Sequence, residues 1–423
     1  MNEIFLLMAA LLAGDALLQS VANWLNVRAL SNRIPDEFAG VYDEERYRKS
    51  QEYLKASTRF EQVQLWIMTP LTIAFLAVGG FGWVDGLALD AAAGPITRGL
   101  VFAGILMALS MAAGLPFQLY DTFVLEERFG FNRTTPKTFA ADFVKSLLLT
   151  IALGGPLFAA ILWFFAETGP WGWAIAWGAI TVFQLIMLLL APSLLLPLFN
   201  TFTPLPDGEL KSAIESYARG QRYELSGIFS IDGSRRSSKA NAYVTGLGRL
   251  KRIALFDTLI KQHTVPELVA VLAHEVGHAR LGHIRRMLLT SIATTGLMMF
   301  LLSLCLAQPS LYAALGVEWT AGEPAPLHAG MVAFVLLMAP LNRLLSIYVH
   351  HRSRRHEFEA DAFAARTTGR ADAMISALKK LSVENLTNLT PHPLVVWLEY
   401  SHPPMLQRIA ALKNDKPGGA VTP

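Results

Sequence analysis

The chain has 423 residues, of which 53% are hydrophobic and only 16% are charged. Because soluble proteins usually carry about 25% charged residues, this composition argues against an entirely soluble protein. The 36 Lys and Arg nearly balance the 33 Asp and Glu, and the net charge of +3 excludes both a global basic field that would gather nucleic acid and an acidic disordered tail. The single cysteine, Cys305, excludes an intramolecular disulfide and a multi-thiolate zinc site.

Seven apolar stretches predict seven transmembrane helices. A helix needs about 20 mostly apolar residues to cross the hydrocarbon core of a bilayer, and each stretch is long enough. The alternative, that these are buried core helices of a soluble protein, does not explain the loop charges described next. The predicted spans are residues 4–25, 63–84, 99–119, 143–165, 171–196, 287–307 and 330–349.

The basic residues of the short loops alternate between the two sides of the predicted spans. The loop after the first span holds seven Lys or Arg, and the loop after the third holds three. The loop after the second span holds only Arg98, and those after the fourth and sixth hold none. Because Lys and Arg accumulate in cytoplasmic loops, we expect the N-terminus outside, and the C-terminus and residues 200–286 in the cytoplasm.

The sequence HEVGH at residues 274–278 is the strongest chemical signal. Thr264 and Glu267 form a capping box, which predicts that a helix begins before the motif. His274 and His278 then lie one turn apart on one face, where two imidazoles can bind a zinc ion while Glu275 accepts a proton from water. The alternative is a set of polar residues on an exposed helix.

A site with two histidines needs a third protein ligand if one position is to stay open for water. The sequence HEFEADAFA, which follows the seventh span, offers Glu357 and Asp361 on one helix face. Glu357 could bind the metal, and Asp361 could accept a hydrogen bond from a ligating histidine. Glu359 points elsewhere, and we expect it to be a solvated acid beside Arg354 and Arg355.

Two short β-rich runs at residues 242–245 and 252–256, with a Gly-Leu-Gly turn between them, predict a hairpin. An exposed strand beside a zinc-binding helix can hold an extended peptide through main-chain hydrogen bonds. The alternative is an edge hairpin that packs on the helix and does not touch substrate. The candidate substrate-binding residues here are Asn241, Ala242, Tyr243 and Val244.

His402 precedes two prolines, so we expect it to lie in a stiff loop outside any helix. Its imidazole could stabilise the oxyanion formed during hydrolysis, and Arg408 could orient that imidazole or bind a peptide carboxylate. The alternative for His402 is an ordinary loop hydrogen bond. We expect the remaining histidines, including His283, His350 and His351, to be interfacial residues outside the site.

These segments together resemble the type 1 CAAX prenyl proteases, which are integral-membrane zinc metallopeptidases. The resemblance extends over nearly the whole chain. It implies that His274, His278 and Glu357 bind one zinc ion, that Glu275 is the catalytic acid and base, and that Asp361 is an accessory proton donor or supports a ligand. The matching segments are residues 126–132, 197–206, 241–243, 252–260, 274–278, 357–364 and 401–404, with Arg408.

The resemblance also implies a barrel of helices around an aqueous chamber within the membrane. We therefore expect a mostly α integral-membrane fold with seven transmembrane helices and a cytoplasmic α+β zinc-peptidase domain that is split around the last two spans. The expected divisions are a membrane region at 1–199, the HEVGH segment at 200–286, two spans at 287–349, the third-ligand segment at 350–415 and a flexible tail at 416–423.

The predicted function is that of a zinc-dependent membrane endopeptidase with one zinc ion per chain. Its expected partners are the lipid bilayer and a peptide or protein substrate, with a lipidated CAAX tail implied by the resemblance, and no nucleic acid. Two alternatives stay open. The first is a quality-control metalloprotease without prenyl specificity, and the second is a seven-span transporter or receptor in which HEVGH is incidental.

Overall fold

The computed structural model describes residues 2–92, 94–245, 252–319 and 324–414, so the predicted Gly-Leu-Gly turn and flexible tail lie outside the described residues. These ranges contain eighteen α-helices and four strands. The helices are α1 Glu3–Arg28, α2 Glu44–Ala77, α3 Gly80–Ala91, α4 Pro95–Tyr120, α5 Pro136–Leu149, α6 Gly155–Glu167, α7 Gly172–Leu190, α8 Leu196–Phe199, α9 Glu209–Gly220, α10 Asp257–Gln262, α11 Val265–Arg280, α12 His283–Leu306, α13 Pro309–Ala314, α14 Leu327–Leu337, α15 Ala339–Thr368, α16 Ala371–Glu384, α17 Pro393–Glu399 and α18 Met405–Asn414. The strands are β1 Phe202–Pro204, β2 Gly227–Ile231, β3 Ala242–Thr245 and β4 Arg252–Phe256.

Between five and seven helical segments in the described residues are long and apolar enough to cross a membrane. The number is seven if each of two bent helix pairs counts as one span, α2 with α3 at 64° and α14 with α15 at 58°. Each of the seven predicted spans overlaps one of these segments. The five unbroken segments are Glu3–Arg28, Pro95–Glu126, Pro136–Glu167, Gly169–Phe199 and His283–Leu306.

Local sequence explains where the long helices bend and where they continue. The break between α2 and α3 falls at Gly79, whose φ of 73° is a conformation that glycine adopts without strain. The break before α15 comes next to Pro340, which has no N–H to continue the preceding helix. In contrast, a π-helical turn at Ala191–Leu195 accommodates Pro192, so the fifth predicted span continues into α8.

A pair of opposite charges joins the first span to the helix that carries the third-ligand segment. The guanidinium of Arg343 in α15 donates two hydrogen bonds, of 2.9 and 2.8 Å, to the carboxylate of Asp15 in α1. An unpaired charge within a bilayer is costly, so such groups usually face the protein interior and pair. This contact therefore helps to fix α15 relative to the rest of the membrane region.

The four strands form one mixed sheet in the order β1-β2-β4-β3. Strands β3 and β4 pair antiparallel, with Tyr243 opposite Ala254, which confirms the predicted hairpin pairing. Strands β2 and β4 are parallel, and β3 forms one edge of the sheet. One face packs on α11, where Ile253 and Leu255 of β4 share an apolar core with Leu268. The sheet thus holds α11 from one side, and α15 and α16 pack against α11 as well.

Candidate active site

Helix α11 begins at the predicted capping box. The carboxylate of Glu267 accepts a hydrogen bond of 2.8 Å from the backbone N–H of Thr264, which satisfies a donor that the helix itself leaves free. The same carboxylate accepts hydrogen bonds from Lys380 at 2.8 Å and from Ser376 at 2.6 Å, both on α16. These contacts fix the start of α11 and therefore the positions of His274 and His278, which lie about two and three turns further along the helix.

The close approach of α11 and α15 depends on a glycine inside the HEVGH motif. A Cβ atom added at Gly277 would lie 3.3 Å from the Cα atom of Ala360 and 3.1 Å from the ring of Phe363. These separations are tighter than ordinary van der Waals contacts, so a larger residue at 277 would push the helices apart. Because Gly277 and Ala360 are small, Glu357 on α15 reaches the histidines on α11.

His274, His278 and Glu357 direct one ligand atom each toward a common point. The Nε2 atoms of His274 and His278 are 3.1 Å apart, and Glu357 Oε1 lies 3.3 Å from His278 Nε2. Glu357 Oε2 lies 3.5 Å from His274 Nε2. A tetrahedral zinc ion with bonds of about 2.0–2.1 Å separates its ligand atoms by about 3.3–3.4 Å. One ligand atom from each of the three residues lies within 4.8 Å of the other two, and the two carboxylate oxygens approach the imidazole nitrogens at close to the separation that one face of a zinc site requires.

The chemistry of these donors also fits a zinc ion. Oε2 of Glu357 is buried and accepts no hydrogen bond from the described residues, although a buried acceptor normally has a partner. Two imidazole nitrogens and one carboxylate oxygen are the ligands of many catalytic zinc sites, in which the fourth position is left for water. His274, His278 and Glu357 are thus suited to hold the ion with one position open.

Asp361 and Arg408 lie behind His274. Asp361 Oδ1 is 2.8 Å from His274 Nδ1, an ion-pair distance, although the oxygen is out of line for a regular hydrogen bond. Arg408 donates two hydrogen bonds to Asp361, of 2.7 and 2.6 Å, and its Nη1 lies 3.3 Å from Glu357 Oε2. Asp361 is 1% exposed and Arg408 is 5% exposed. This arrangement can set the orientation of the His274 ring.

These contacts favour one of the two alternatives predicted for Arg408 and for Asp361. Arg408 is buried and its donors face two carboxylates, so the geometry favours an orienting role over contact with a substrate. Asp361 pairs with the guanidinium of Arg408, which stabilises the ionised carboxylate. The geometry therefore favours Asp361 as the partner of His274 over the alternative of a proton donor.

Glu275 lies in α11 directly after the first histidine, and its side chain is half-buried. Burial raises the pKa of Glu275 above its usual value, and the nearby carboxylate of Glu357 acts in the same direction. A carboxylate with a raised pKa accepts a proton more readily near neutral pH. Glu275 thus lies next to the first ligand in the chain, and its pKa is shifted in the direction that suits a general base.

His402 lies on the open side of the site. Its Nε2 atom is 3.4 Å from Glu357 Oε1, and its side chain is 61% exposed. The hydroxyl of Ser401 lies 3.0 Å from the other ring nitrogen. His402 follows α17 and precedes α18, outside both helices. Among the predicted residues it is therefore the imidazole that a bound substrate can reach without displacing a ligand.

The predictions for His283 and Glu359 are wrong. His283 is completely buried, and its Nδ1 atom lies 3.1 Å from Nδ1 of His278. Glu359 Oε2 lies 2.9 Å from His283 Nε2, so Glu359 does not pair with the neighbouring arginines of its own helix. Arg354 instead donates hydrogen bonds to the carbonyl oxygens of Val396 and Tyr400. The sequence signal for the contact between His278 and His283 was their separation of five residues, but this separation matches no helical repeat.

The edge strand β3 presents part of its backbone for pairing. The N–H of Phe256 donates to the carbonyl of Asn241 at 3.1 Å, so Asn241 and Tyr243 direct their backbone groups toward β4. Ala242 and Val244 direct theirs to the opposite edge, where no described strand lies. The N–H of Ala242 donates to the side chain of Asn241, at 2.8 Å. The backbone of Val244 is therefore the part of the edge that can pair with a peptide.

Family models match the two halves of the chain. Residues 23–201 match the model described as CAAX prenyl protease N-terminal, five membrane helices. Residues 204–416 match the model of peptidase family M48, and this second range includes every residue of the candidate site. The family that the sequence resembles is thus found by both models.

Individual proteins give the same result. The chain is 35% identical to a CAAX prenyl protease 1 homolog of Arabidopsis thaliana, covering 90% of this chain and 91% of that protein. It is 35% identical to CAAX prenyl protease 1 of Saccharomyces cerevisiae, covering 90% and 88%. The crystal structure of S. mikatae Ste24p superimposes with a TM-score of 0.93 at 32% identity, covering 97% and 99%. The chain therefore belongs to peptidase family M48, within the CAAX prenyl proteases, and is a multi-pass membrane metalloendopeptidase.

Proposed function

We propose that this chain hydrolyses a peptide bond in prenylated CAAX-type tails, with one zinc ion held by His274, His278 and Glu357. The observation that carries the proposal is the convergence of these three residues: the two imidazole Nε2 atoms are 3.1 Å apart, and each lies 3.3 or 3.5 Å from an oxygen of Glu357. The relatives carry the name CAAX prenyl protease, which supports the substrate class. The zinc dependence of family M48 supports the choice of metal.

The proposed mechanism uses Glu275 to move the proton. When bound, zinc supplies a Lewis acid and lowers the pKa of water. The carboxylate of Glu275 accepts a proton as the water oxygen attacks the peptide carbonyl carbon, and the same carboxyl group then gives that proton to the amide nitrogen as the C–N bond breaks. His402, on the open side, donates a hydrogen bond from Nε2 to the oxygen on which negative charge develops.

The substrate peptide is proposed to extend the sheet by pairing with β3. Val244 offers the outward N–H and C=O for this pairing, and α11 lies beside the same strand. Replacing Val244 by Pro removes the outward donor and leaves the β3–β4 ladder intact, because the inward donors belong to its neighbours. Loss of one main-chain hydrogen bond should lower kcat/KM by about tenfold or more. Cleavage kinetics of the purified variant provide the measurement.

Two controls make this result specific to the strand edge. Val244→Ala keeps the backbone N–H and should be mild, and both variants should retain their zinc. Tyr243→Pro removes a donor that faces β4, so it should lower thermal stability as well as activity. If Val244→Pro is stable and cleaves with unchanged kinetics, β3 has a structural role only, and the peptide contacts must be sought near His402.

We also propose that each bent helix pair is a single span, which gives seven spans around an aqueous chamber, with the peptidase region on the cytoplasmic side. The loop charges and the likeness to Ste24p support this arrangement. In a Cys305→Ala background, an impermeant thiol reagent applied outside the cell should label Ala91→Cys and should not label Glu209→Cys. Both positions are exposed. Labelling of Glu209→Cys alone would reverse the orientation.

The substrate class is tested with two peptides that share one CAAX sequence. One peptide carries a farnesyl group on its cysteine thioether, and the other has the free thiol. Each buried methylene contributes about 0.8 kcal/mol, so the farnesylated peptide should be cleaved at least about tenfold more efficiently, measured as kcat/KM. Equal cleavage of both peptides, together with cleavage of unrelated membrane-protein segments, would favour a quality-control protease and contradict the proposed specificity.

A further inference from the structure

The turn between α11 and α12 returns the chain to the metal site. Helix α11 ends at Arg280, and Gly282 adopts a φ of 73°, a left-handed conformation that glycine accepts without strain. Helix α12 then begins at His283, whose ring meets the ring of His278 edge to face, with 5.1 Å between the ring centroids. His283 is 0% exposed, so its two ring nitrogens must find their partners inside the protein.

Both nitrogens of His283 have a partner, and the partners differ in kind. Nδ1 lies 3.1 Å from Nδ1 of His278. Nε2 lies 2.9 Å from Oε2 of Glu359, whose carboxylate also lies 3.6 Å from Nη1 of Arg286. The Glu359 side chain is 39% exposed. His283 therefore connects one zinc ligand with a carboxylate at the protein surface.

The carboxylate of Glu359 determines which ring nitrogens of His283 and His278 carry protons. A carboxylate can only accept hydrogen bonds, so Nε2 of His283 must carry a proton. Complete burial favours the neutral ring, in which Nδ1 is then an acceptor. The short contact between His278 and His283 consequently requires that Nδ1 of His278 is the donor. Nε2 of His278 is left with its lone pair, directed at the other two ligand atoms.

The ring of His356 packs against the ring of His283. His356 stacks on His283 with a centroid separation of 4.1 Å and an interplanar angle of 11°. His356 is 4% exposed, and neither of its nitrogens has a hydrogen-bond partner among the described residues. Its contribution is therefore a flat surface that restricts rotation of the His283 ring.

We infer that His283 is a positioning residue for the metal site, which, together with Glu359, fixes the tautomer and the ring orientation of His278. Asp361 occupies the corresponding position behind His274, so each ligating histidine has its own partner. Partners of this kind keep the ligand ring aimed at the metal and typically change metal affinity by about 10–100-fold when they are removed. The inference rests on the proposed zinc site.

The test measures zinc affinity of the full-length protein in detergent by competition with a chelator. His283→Phe keeps a ring of similar size to stack on His356 but removes both hydrogen bonds, and it should weaken zinc binding about 10–100-fold. Glu359→Ala, at a half-exposed position, should weaken zinc binding in the same direction without endangering the fold. His283→Asn retains an acceptor near Nδ1 and should recover part of the loss. His351→Ala, an exposed histidine of α15, is the control and should bind as wild type does.

A second readout separates positioning from a merely structural role. Cobalt bound in place of zinc reports ligand geometry, so its visible absorption spectrum should change in His283→Phe and in Glu359→Ala even where thermal stability is unchanged. Wild-type affinity and spectrum in both variants would overturn the inference. A loss confined to His283→Phe would overturn the part assigned to Glu359. Failure of the wild type to bind zinc more tightly than His278→Ala would reject the proposed zinc site itself, and this inference with it.

Discussion

Replacing Glu275 by Gln should lower kcat for peptide hydrolysis by on the order of 10²–10⁴-fold, the range that a general acid and base contributes. Glutamine has nearly the shape of glutamate but cannot accept the proton from water. Zinc content should be unchanged, because the three proposed ligands are His274, His278 and Glu357. The measurement combines single-turnover cleavage of a farnesylated peptide with metal analysis of the same preparation.

A shorter acid provides the matched control for this prediction. Glu275→Asp keeps a carboxylate but withdraws it, and a displacement of about 1 Å can cost on the order of 10²-fold in rate. The aspartate variant should therefore lie between wild type and Glu275→Gln. Wild-type turnover in Glu275→Gln would contradict the assignment and would require another base near the zinc site.

Replacing Glu357 by Ala should remove zinc and, with it, all peptidase activity. The site would retain only His274 and His278, and two ligands do not complete a catalytic zinc site. The loss of affinity should exceed the 10–100-fold effect that is typical of removing a supporting residue. Zinc remaining after dialysis against a chelator, measured by atomic spectroscopy, gives the result directly.

The control for Glu357→Ala is Asp372→Ala, which removes an exposed acid from α16 and should leave zinc content unchanged. Full zinc in Glu357→Ala would contradict the proposed ligand set. The third-ligand role would then pass to His402, whose Nε2 is 3.4 Å from Glu357 Oε1. Glu359 is a poor substitute because its carboxylate is engaged by His283 on the far side of the ligating ring.

The parts of the site that depend on local sequence could be predicted. The capping box of Thr264 and Glu267 and the one-turn spacing of His274 and His278 both lie within a single helix, where geometry follows directly from residue number. The hairpin of β3 and β4 is likewise a short-range feature, and the two strands pair antiparallel as a hairpin requires. The membrane spans were recognisable because each is a continuous apolar run.

The parts that failed depend on how separate helices meet. The contact of His283 with His278 requires the reversal at Gly282, and its contact with Glu359 requires α12 to lie against α15. The burial of Arg408 follows from the packing of α18 against α15. The bends at Gly79 and before Pro340 have local causes, but apolar length alone gives neither their angle nor their direction. The pattern of residues along one helix carries no information about its contacts with another helix.

The most direct measurement of the central claim is zinc X-ray absorption spectroscopy on the purified, full-length protein. The proposed ligand set predicts a shell of four nitrogen and oxygen atoms at about 2.0–2.1 Å, with outer-shell scattering from two imidazole rings. No sulfur scattering at about 2.3 Å should be present. A sulfur ligand, or scattering from three imidazole rings, would contradict the assignment of His274, His278 and Glu357 as the residues that hold the metal.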